Sequence, residues 1–502
     1  MKQWLGKAAL GTTLAAGLYL VFIIYHAGQN WLAMLFLALL ALLGLVYSSE
    51  KLYAWRYLFP GLAAVLVFVI FPLIYTISIG FTNYSSKNLL SFERATAVLL
   101  DETTRTEASG YPFTLHADGQ EFRLRLLAAD GQQVLLSPPL ALRKKQALRV
   151  ELQANGKHAL GEALPLKEVI AHQAALKQLS LVLPDKIELK MTGLREFGPI
   201  AKVYQQLPDG NLKKLATGEI IKADFASGFY VTPDGEKLAP GFKTHVGFAN
   251  FKRIFEDKAI SGPFLGIFVW TVAFSALTVF TTVSLGMMLA VLLNWDALKF
   301  RGVYQTLLFL AYAVPGFISI LVFKGLFNNN YGEINMILNF LFGVKPAWFS
   351  DTALARTMLL IVNTWLGYPY MMVLCMGLIK SIPSDLYEAS ALAGAGPLTN
   401  FFKITMPLII KPLMPLMLAC FAFNFNNYVL VSLLTGGRPD YLDTVLPAGS
   451  TDLLVSYTVR IAFEDSGQQF GLAAAISTLI FILVAAISLL NMRLTKMNRS
   501  TI

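Results

Sequence analysis

The sequence predicts an all-α polytopic membrane protein of about eight transmembrane helices with an inserted β-rich extracytoplasmic domain. Three observations carry that expectation. Of the 502 residues, 55% are hydrophobic and 14% charged; uncharged apolar runs recur along the chain; and one long polar stretch interrupts them. With a mean hydropathy of +0.57, a soluble globule of this length is excluded, because an ordinary one is about 25% charged.

A helix needs about 20 apolar residues to cross the hydrocarbon core. Runs of that kind occupy 8–27, 31–48, 57–80, 264–293, 304–326, 356–379, 408–434 and 470–492. Lys2 and Lys7 give the first run the flank of a secretion signal. A second run follows at once and no small-residue cleavage site stands out, so it reads as a retained anchor. Basic residues stay on the cytoplasmic side of a membrane. Lys2, Lys7, Lys51, Arg56, Lys299, Arg301, Lys380, Lys403, Lys411, Arg493, Lys496 and Arg499 fall at alternate connections, which eight spans with both termini cytoplasmic satisfy. The formal net charge of +10 lies mainly at those ends. It reports topology and contact with anionic headgroups, not nucleic-acid binding. Cys375 and Cys420 both sit within spans, so neither a disulfide framework nor a metal cluster is available, and no cofactor is called for.

Residues 1–90 hold the first three spans, 91–250 the inserted domain, and 251–502 the remaining five spans and their loops. More than half of the charged side chains fall in 91–250, which marks a folded domain rather than a linker. Glu121–Leu126 and Arg149–Leu152 alternate polar and apolar residues, as half-buried strands do. Asp118-Gly119, Asp130-Gly131, Asp209-Gly210 and Asp234-Gly235 supply turns, since glycine accepts the positive φ of tight hairpins. A helix is expected around 165–180. Val246–Phe255, in which Phe248 and Phe251 accompany Lys252 and Arg253, suits a short amphipathic helix on the interface.

Between the sixth and seventh runs lies the cytoplasmic loop 382–407. Its composition predicts two short helices meeting at a bend. Pro383 suits a first turn, Ser384 or Asp385 can cap it, Gly394, Gly396 and Pro397 break it, and Pro407 marks the return to the membrane. A rigid helix of small residues carrying one carboxylate, Glu388, is shaped to seat in another protein's cleft. These residues resemble the EAA motif of ABC-importer permeases, in which Glu-Ala-Ala is followed by three residues, a glycine, and Ile-x-Leu-Pro about nine residues later. Here the motif reads Glu388-Ala389-Ser390, Gly394 and Ile404-Thr405-Met406-Pro407, with serine, Ala393 and Met406 where alanine, aspartate and leucine are usual.

The wider resemblance, carried by the eight spans, the insertion after the third, Gly367-Tyr368-Pro369-Tyr370 and Phe423-Asn424-Phe425-Asn426-Asn427, is to the family of larger permease subunits of maltose/maltodextrin transporters. The resemblance implies a transport subunit and not an enzyme, in the inner membrane of a Gram-negative cell. It implies a second, smaller permease (MalG-like), an ATPase dimer (MalK-like) that receives the loop, and a periplasmic sugar-binding protein docked on the inserted domain. In keeping with that division of labour, Gly6-Lys7 and Gly156-Lys157 are the only Gly-Lys pairs and neither sits in a phosphate-binding loop.

Spans three to eight carry no acid or base well inside them, Lys324 and Lys411 being placed near span ends. A proton- or sodium-coupled carrier needs such groups at mid-membrane, so an external energy source and an uncharged cargo are expected. Asn424 and Asn427, with Cys420, share a helical face; so do Asn363, Gly367 and Tyr370, and so do Tyr312 and Gly316. Such amides and phenols can bond sugar hydroxyls while aromatic rings cover pyranose C–H faces; the alternative use of the asparagines is to bind helices together. The resemblance places sugar contacts at Tyr312, Asn363, Leu366 and Gly367, and at Tyr370, Phe423, Asn424 and Asn427. Pro315 and Pro369 are expected to kink their helices. Another neutral oligosaccharide is the neighbouring alternative; a membrane-protein insertase gives no reason for the Glu388–Gly394 pattern.

Overall fold

In the computed structural model, residues 2–105, 110–127, 133–142, 148–154, 160–295 and 297–499 are described. The chain divides into two units, residues 1–86 with 245–502, and residues 87–244. The division falls a few residues before 91–250 at each end.

The first unit is helical. Lys2–His26 and Asn30–Ser48 form a hairpin turned at Gly28 (φ +79). A Cβ on Gly17 would collide with Leu40, which is where the two helices touch. The third span, Trp55–Gly80, contains a π-turn at Leu66–Ile70. Pro72 follows directly and has no N–H to return, so the wider turn, closed by Phe71 N–H on the Leu66 carbonyl, accommodates it. The fourth span, Lys258–Leu293, starts where the Asp257 carboxylate accepts the Ala259 N–H at 3.1 Å. The sixth, Thr352–Lys380, starts on Asp351, which accepts the Leu354 N–H at 2.8 Å. Pro369 lies inside that continuous helix. These two spans meet closely, since a Cβ on Gly286 would come within 2.8 Å of the Met372 backbone nitrogen.

Two predicted spans come out differently. The run 304–326 is not one rod: Arg301–Ala313 and Gly316–Leu326 are bent by 91°. Pro315 forces Val314 into an extended conformation (φ −94, ψ 126), which a helix cannot contain. The run 408–434 is displaced. Its helix begins at Pro397 and ends at Phe425, after which Asn427 accepts the Leu430 N–H at 3.4 Å and caps a separate short helix, Tyr428–Leu434. Lys411 therefore lies well inside the seventh helix rather than near its start, with its side chain exposed; its four-carbon stem lets the ammonium reach the interface. The eighth span is Phe470–Arg499. Among the described residues, seven helices are long and apolar enough to cross a membrane, and eight if the bent pair counts as one.

Residues 426–469 carry a buried ionic cluster. Arg460 donates from Nη1 to Asp452 at 2.8 Å, from Nη2 to Asp440 at 2.7 Å and from Nε to Glu464 at 3.1 Å. Asp452, fully enclosed, also accepts from the Ser456 hydroxyl (2.7 Å) and the Gly449 N–H (2.8 Å). Burial pushes its carboxyl up, and these partners pull against that. The amphipathic segment forms the helix Ala249–Glu256, with Phe248 and Phe255 exposed and Asn250 buried, its amide donating to the Gly80 and Thr82 carbonyls.

The second unit is β-rich. Its larger sheet contains β1 (Thr103–Arg105), β2 (Tyr111–Asp118), β3 (Glu121–Leu127), β4 (Val134–Leu136), β5 (Leu148–Glu151), β6 (Gln153–Ala154), β7 (Leu179–Val182), β8 (Glu188–Gly193) and β9 (Glu196–Lys202). The order is β5-β7-β8-β9-β2-β3-β4-β6, with β1 on β9. β5 and β7 are parallel, and the helices Leu166–Ala171 and Gln173–Leu176 lie in their crossover, where a helix was expected. In β3, Leu124 and Leu126 are fully buried while Arg125 between them and Leu127 after them are exposed, and Leu115, Leu181 and Phe197 belong to the same core. A smaller sheet runs β10 (Tyr204–Gln206) through β11 (Leu212–Lys214), β12 (Ile220–Asp224) and β13 (Phe229–Val231) to β14 (Lys237–Leu238), all antiparallel. Gly119, Gly210 and Gly235 take φ of +62, +82 and +84 at the expected turns. Asp130-Gly131 and Gly156-Lys157 lie outside the described residues.

Candidate functional site

A cavity of about 530 Å³ opens where two backbone interruptions meet the middle of the sixth span. The bend at Val314-Pro315 contributes Tyr312 and Gly316. The break after Phe425 brings Phe423, Asn424 and Asn427, and the middle of the sixth span brings Asn363, Leu366, Gly367 and Tyr370. All eight residues named as sugar contacts thus line one space, as do Gly316 and Cys420. No Lys, Arg, His, Asp or Glu is among the lining residues. Irregular backbone at membrane depth is tolerated only where it borders protein or a polar cavity, and both breaks border this one.

The lining sorts into two kinds of group. Asn363 and Asn424 are buried, at 6% and 8% exposure. The Asn363 amide donates to Asn424 Oδ1 at 2.7 Å and to Thr278 Oγ1 at 3.2 Å, and the Asn424 amide donates to the Cys420 carbonyl at 2.8 Å. These short bonds tie the fourth, sixth and seventh spans together, which is the helix-binding role weighed for them. Asn427 is held loosely, its amide donating to Asn363 Oδ1 at 3.3 Å and to Asn424 Oδ1 at 3.5 Å. Contacts of that length exchange for a ligand hydroxyl at little loss. Tyr312, Tyr370 and Phe423 are 49%, 42% and 71% exposed, and Tyr312 stacks on Phe309 with ring centroids 5.4 Å apart. The arrangement offers exposed aromatic faces beside a neutral amide cluster, suited to an uncharged polyhydroxylated ligand. Asn426, which is absent from the cavity lining, is exposed, and its amide donates within its own helix, at 3.4 Å to the Ala422 carbonyl.

The fourth span contributes Thr278 and Thr282 to this wall, which the sequence reading did not name. A Cβ on Gly367 would approach Thr282 Cγ2 to 2.7 Å, so glycine there admits the threonine. A Thr four residues from another on a long apolar helix was the available signal.

In the cytoplasmic-loop candidate, Ser384–Leu392 is helical and begins on Pro383 without any side-chain cap; neither Ser384 nor Asp385 caps it, because Pro383 itself occupies the N-cap position in an extended conformation. The helix ends in a Schellman motif. Ala395 N–H bonds the Ser390 carbonyl and Gly394 N–H the Ala391 carbonyl, both at 3.0 Å, with Gly394 at φ +73. Glu388 and Ala389 are exposed. Two side-chain bonds brace the bend: Ser390 Oγ donates to Asn400 Oδ1, and the Tyr387 and Thr405 hydroxyls lie 2.9 Å apart. The second arm is not a separate short helix. It is the start of the seventh span, and Pro407 lies within it, just after a π-turn at Phe401–Thr405.

Residues 90–247 match the family model described as the maltose transport system permease protein MalF P2 domain, and residues 282–496 match the binding-protein-dependent transport system inner membrane component. The maltose/maltodextrin transport system permease proteins MalF of Klebsiella aerogenes and Escherichia coli (strain K12) are each 52% identical over 95% of this chain and 94% of their own. That of Yersinia pestis is 50% identical over 96% and 92%. Among solved structures, a chain of a bacterial ABC transporter for alginate import aligns at 18% identity over 50% of this chain and 83% of its own, with a TM-score of 0.41. At such identity over nearly full length on both sides, the chain belongs to the MalF family of binding-protein-dependent permeases, membrane-spanning transport subunits that are not themselves enzymes.

Proposed function

We propose that this chain, with a smaller MalG-like permease, encloses a site for maltose and maltodextrins near the middle of the inner membrane. A MalK-like ATPase dimer would power it and a periplasmic sugar-binding protein would deliver the cargo to the domain at 91–250. The observation that carries this reading is the uncharged cavity bordered by Tyr312, Phe423 and the Asn363–Asn424–Asn427 cluster. A neutral sugar needs ring faces to cover its C–H surface and amides to exchange hydrogen bonds with its hydroxyls; it needs no fixed charge. An ion-coupled carrier or a carrier of a phosphorylated solute needs acids or arginines there.

Energy enters through Glu388, Ala389, Ser390 and Gly394 in this reading. With both termini cytoplasmic, the loop lies on the side where ATP is hydrolysed. Closure of the ATPase dimer would pull the braced pair of arms as one body, and Pro407, inside the second arm, would move with it. The test is maltose-stimulated ATP hydrolysis and uptake in proteoliposomes containing the complete set of subunits. Glu388→Lys is expected to reduce both at least tenfold while the permease pair still assembles. Uptake within twofold of the unaltered complex would refute the coupling role.

A further inference from the structure

The fourth span carries a buried stripe of hydroxyls, Thr271, Ser275, Thr278 and Thr282, each 4% exposed or less. Hydroxyls inside an apolar helix ordinarily donate to the carbonyl one turn back, which commits the proton and leaves the oxygen able to accept. Thr271 does so to Ile267 at 2.7 Å, Ser275 to Thr271 at 2.8 Å, and Thr282 to Thr278 at 2.7 Å. Thr271 Oγ1 also accepts the Leu454 N–H at 3.0 Å; Thr278 is the member of the stripe that bonds a side chain of another span. Its Oγ1 accepts from the Asn363 amide at 3.2 Å, and it borders the cavity.

That bond settles how Asn363 is used. A carboxamide has two N–H donors and one acceptor oxygen. With one N–H on Asn424 Oδ1 and the other on Thr278 Oγ1, both donors are committed. The oxygen keeps one long contact, 3.3 Å from the Asn427 amide. Without the Thr278 oxygen, the Asn424 bond still opposes a flip of the amide, but one buried N–H loses its partner and the carboxamide is free to tilt about the single remaining donor bond, so the oxygen is no longer held toward Asn427.

We propose that Thr278 is a positioning residue for the sugar site: it locks the Asn363 carboxamide so that Oδ1 is offered to a sugar hydroxyl, while the Asn427 amide it releases becomes a donor to the same ligand. This rests on the assignment of the cavity as the sugar site. Its effect falls on affinity, because the lock sets the orientation of a ligand-binding group and not the motion that moves cargo.

The test is maltose uptake by the complete complex in proteoliposomes, resolved into KM and maximal rate. Thr278→Val keeps the shape and removes the hydroxyl; KM is expected to rise at least fivefold with the maximal rate within twofold. Thr278→Ser restores the oxygen, and its KM is expected within twofold of the unaltered protein. Ser275→Ala removes a hydroxyl committed to its own helix and is expected to leave KM unchanged. A Thr278→Val KM within twofold of the original, or an equal rise in Ser275→Ala, overturns the proposal. If Thr278→Val does not assemble, Thr278→Ala against Thr278→Ser carries the same comparison. Phe423→Ala, which removes an exposed ring of the cavity lining, separates the two readings: if it alone raises KM, the cavity assignment stands and the Thr278 role falls. If neither variant has an effect, the cavity assignment falls.

Discussion

Replacing Gly394 tests the proposed coupling role of the loop 382–407 at the point where its shape is decided. Gly394 has φ +73 and terminates the helix Ser384–Leu392. A Cβ placed there meets nothing within 4 Å, so alanine introduces no collision and the penalty is confined to the backbone. A non-glycine residue in the left-handed region costs about 1–2 kcal/mol. Relaxing to negative φ would instead break the bonds of Ala395 to Ser390 and of Gly394 to Ala391, and redirect the second arm. A penalty of that size lowers the bent form relative to relaxed ones by a factor of about 5 to 30. Sugar-stimulated ATPase activity of the reconstituted complex is then expected to fall in the order glycine, asparagine, alanine, valine, because asparagine enters the left-handed region more readily than other side chains. The assay is ATP hydrolysis at limiting ATPase subunit, with pull-down of that subunit as the binding readout. If Gly394→Ala matched the original protein, or Gly394→Asn fell below Gly394→Val, the argument from backbone conformation would be refuted.

Two further outcomes are expected. Arg460→Met leaves Asp452, fully enclosed, without its guanidinium partner, a loss of about 3–5 kcal/mol for a broken buried pair; the midpoint of thermal aggregation of the purified complex should drop, and the double variant Asp452→Asn, Arg460→Gln should recover part of it. Phe423→Ala removes a side chain that is 71% exposed, so stability should change by less than about 0.5 kcal/mol, whereas maltose KM should rise about tenfold, the equivalent of about 1.4 kcal/mol of ligand contact; unchanged KM would remove Phe423 from the site.

Hydropathy located the spans because the bilayer imposes length and apolarity on any crossing helix. It could not give direction. Residues 428–434 are as apolar as the helix before them, so a span-length window runs across the local polar dip at Asn424, Asn426 and Asn427, although Asn427 was already a residue type suited to capping a helix. At Pro315 the signal was present and its size was not: a proline is compatible with a mild kink or with the 91° bend observed. The Asp-Gly turns were readable because glycine's positive φ is a local demand. The cluster around Arg460 was only partly readable: Glu464 stands four residues on, at helical spacing, but nothing local pairs Arg460 with Asp440 or Asp452. The site residues carried by helical spacing and family resemblance meet in one cavity, but spacing does not tell Asn363 and Asn424, locked together at 2.7 Å, from the loosely held Asn427.

The helical segment Pro397–Phe425, which carries the π-turn Phe401–Thr405, has a mechanical consequence. One end is the second arm of the cytoplasmic loop; near the other are Phe423 and Asn424 of the cavity wall. Its 29 residues make a lever about 43 Å long at 1.5 Å per residue. Pivoted at its centre, a tilt of about 5° displaces each end by about 2 Å in opposite directions, comparable with the gap between a made and a lost hydrogen bond. Between the two ends lie the π-turn Phe401–Thr405 and Pro407, Pro412 and Pro415, the points at which a helix bends most easily, so the share of a swing at the loop that reaches the amide cluster is set by how stiffly these points are held.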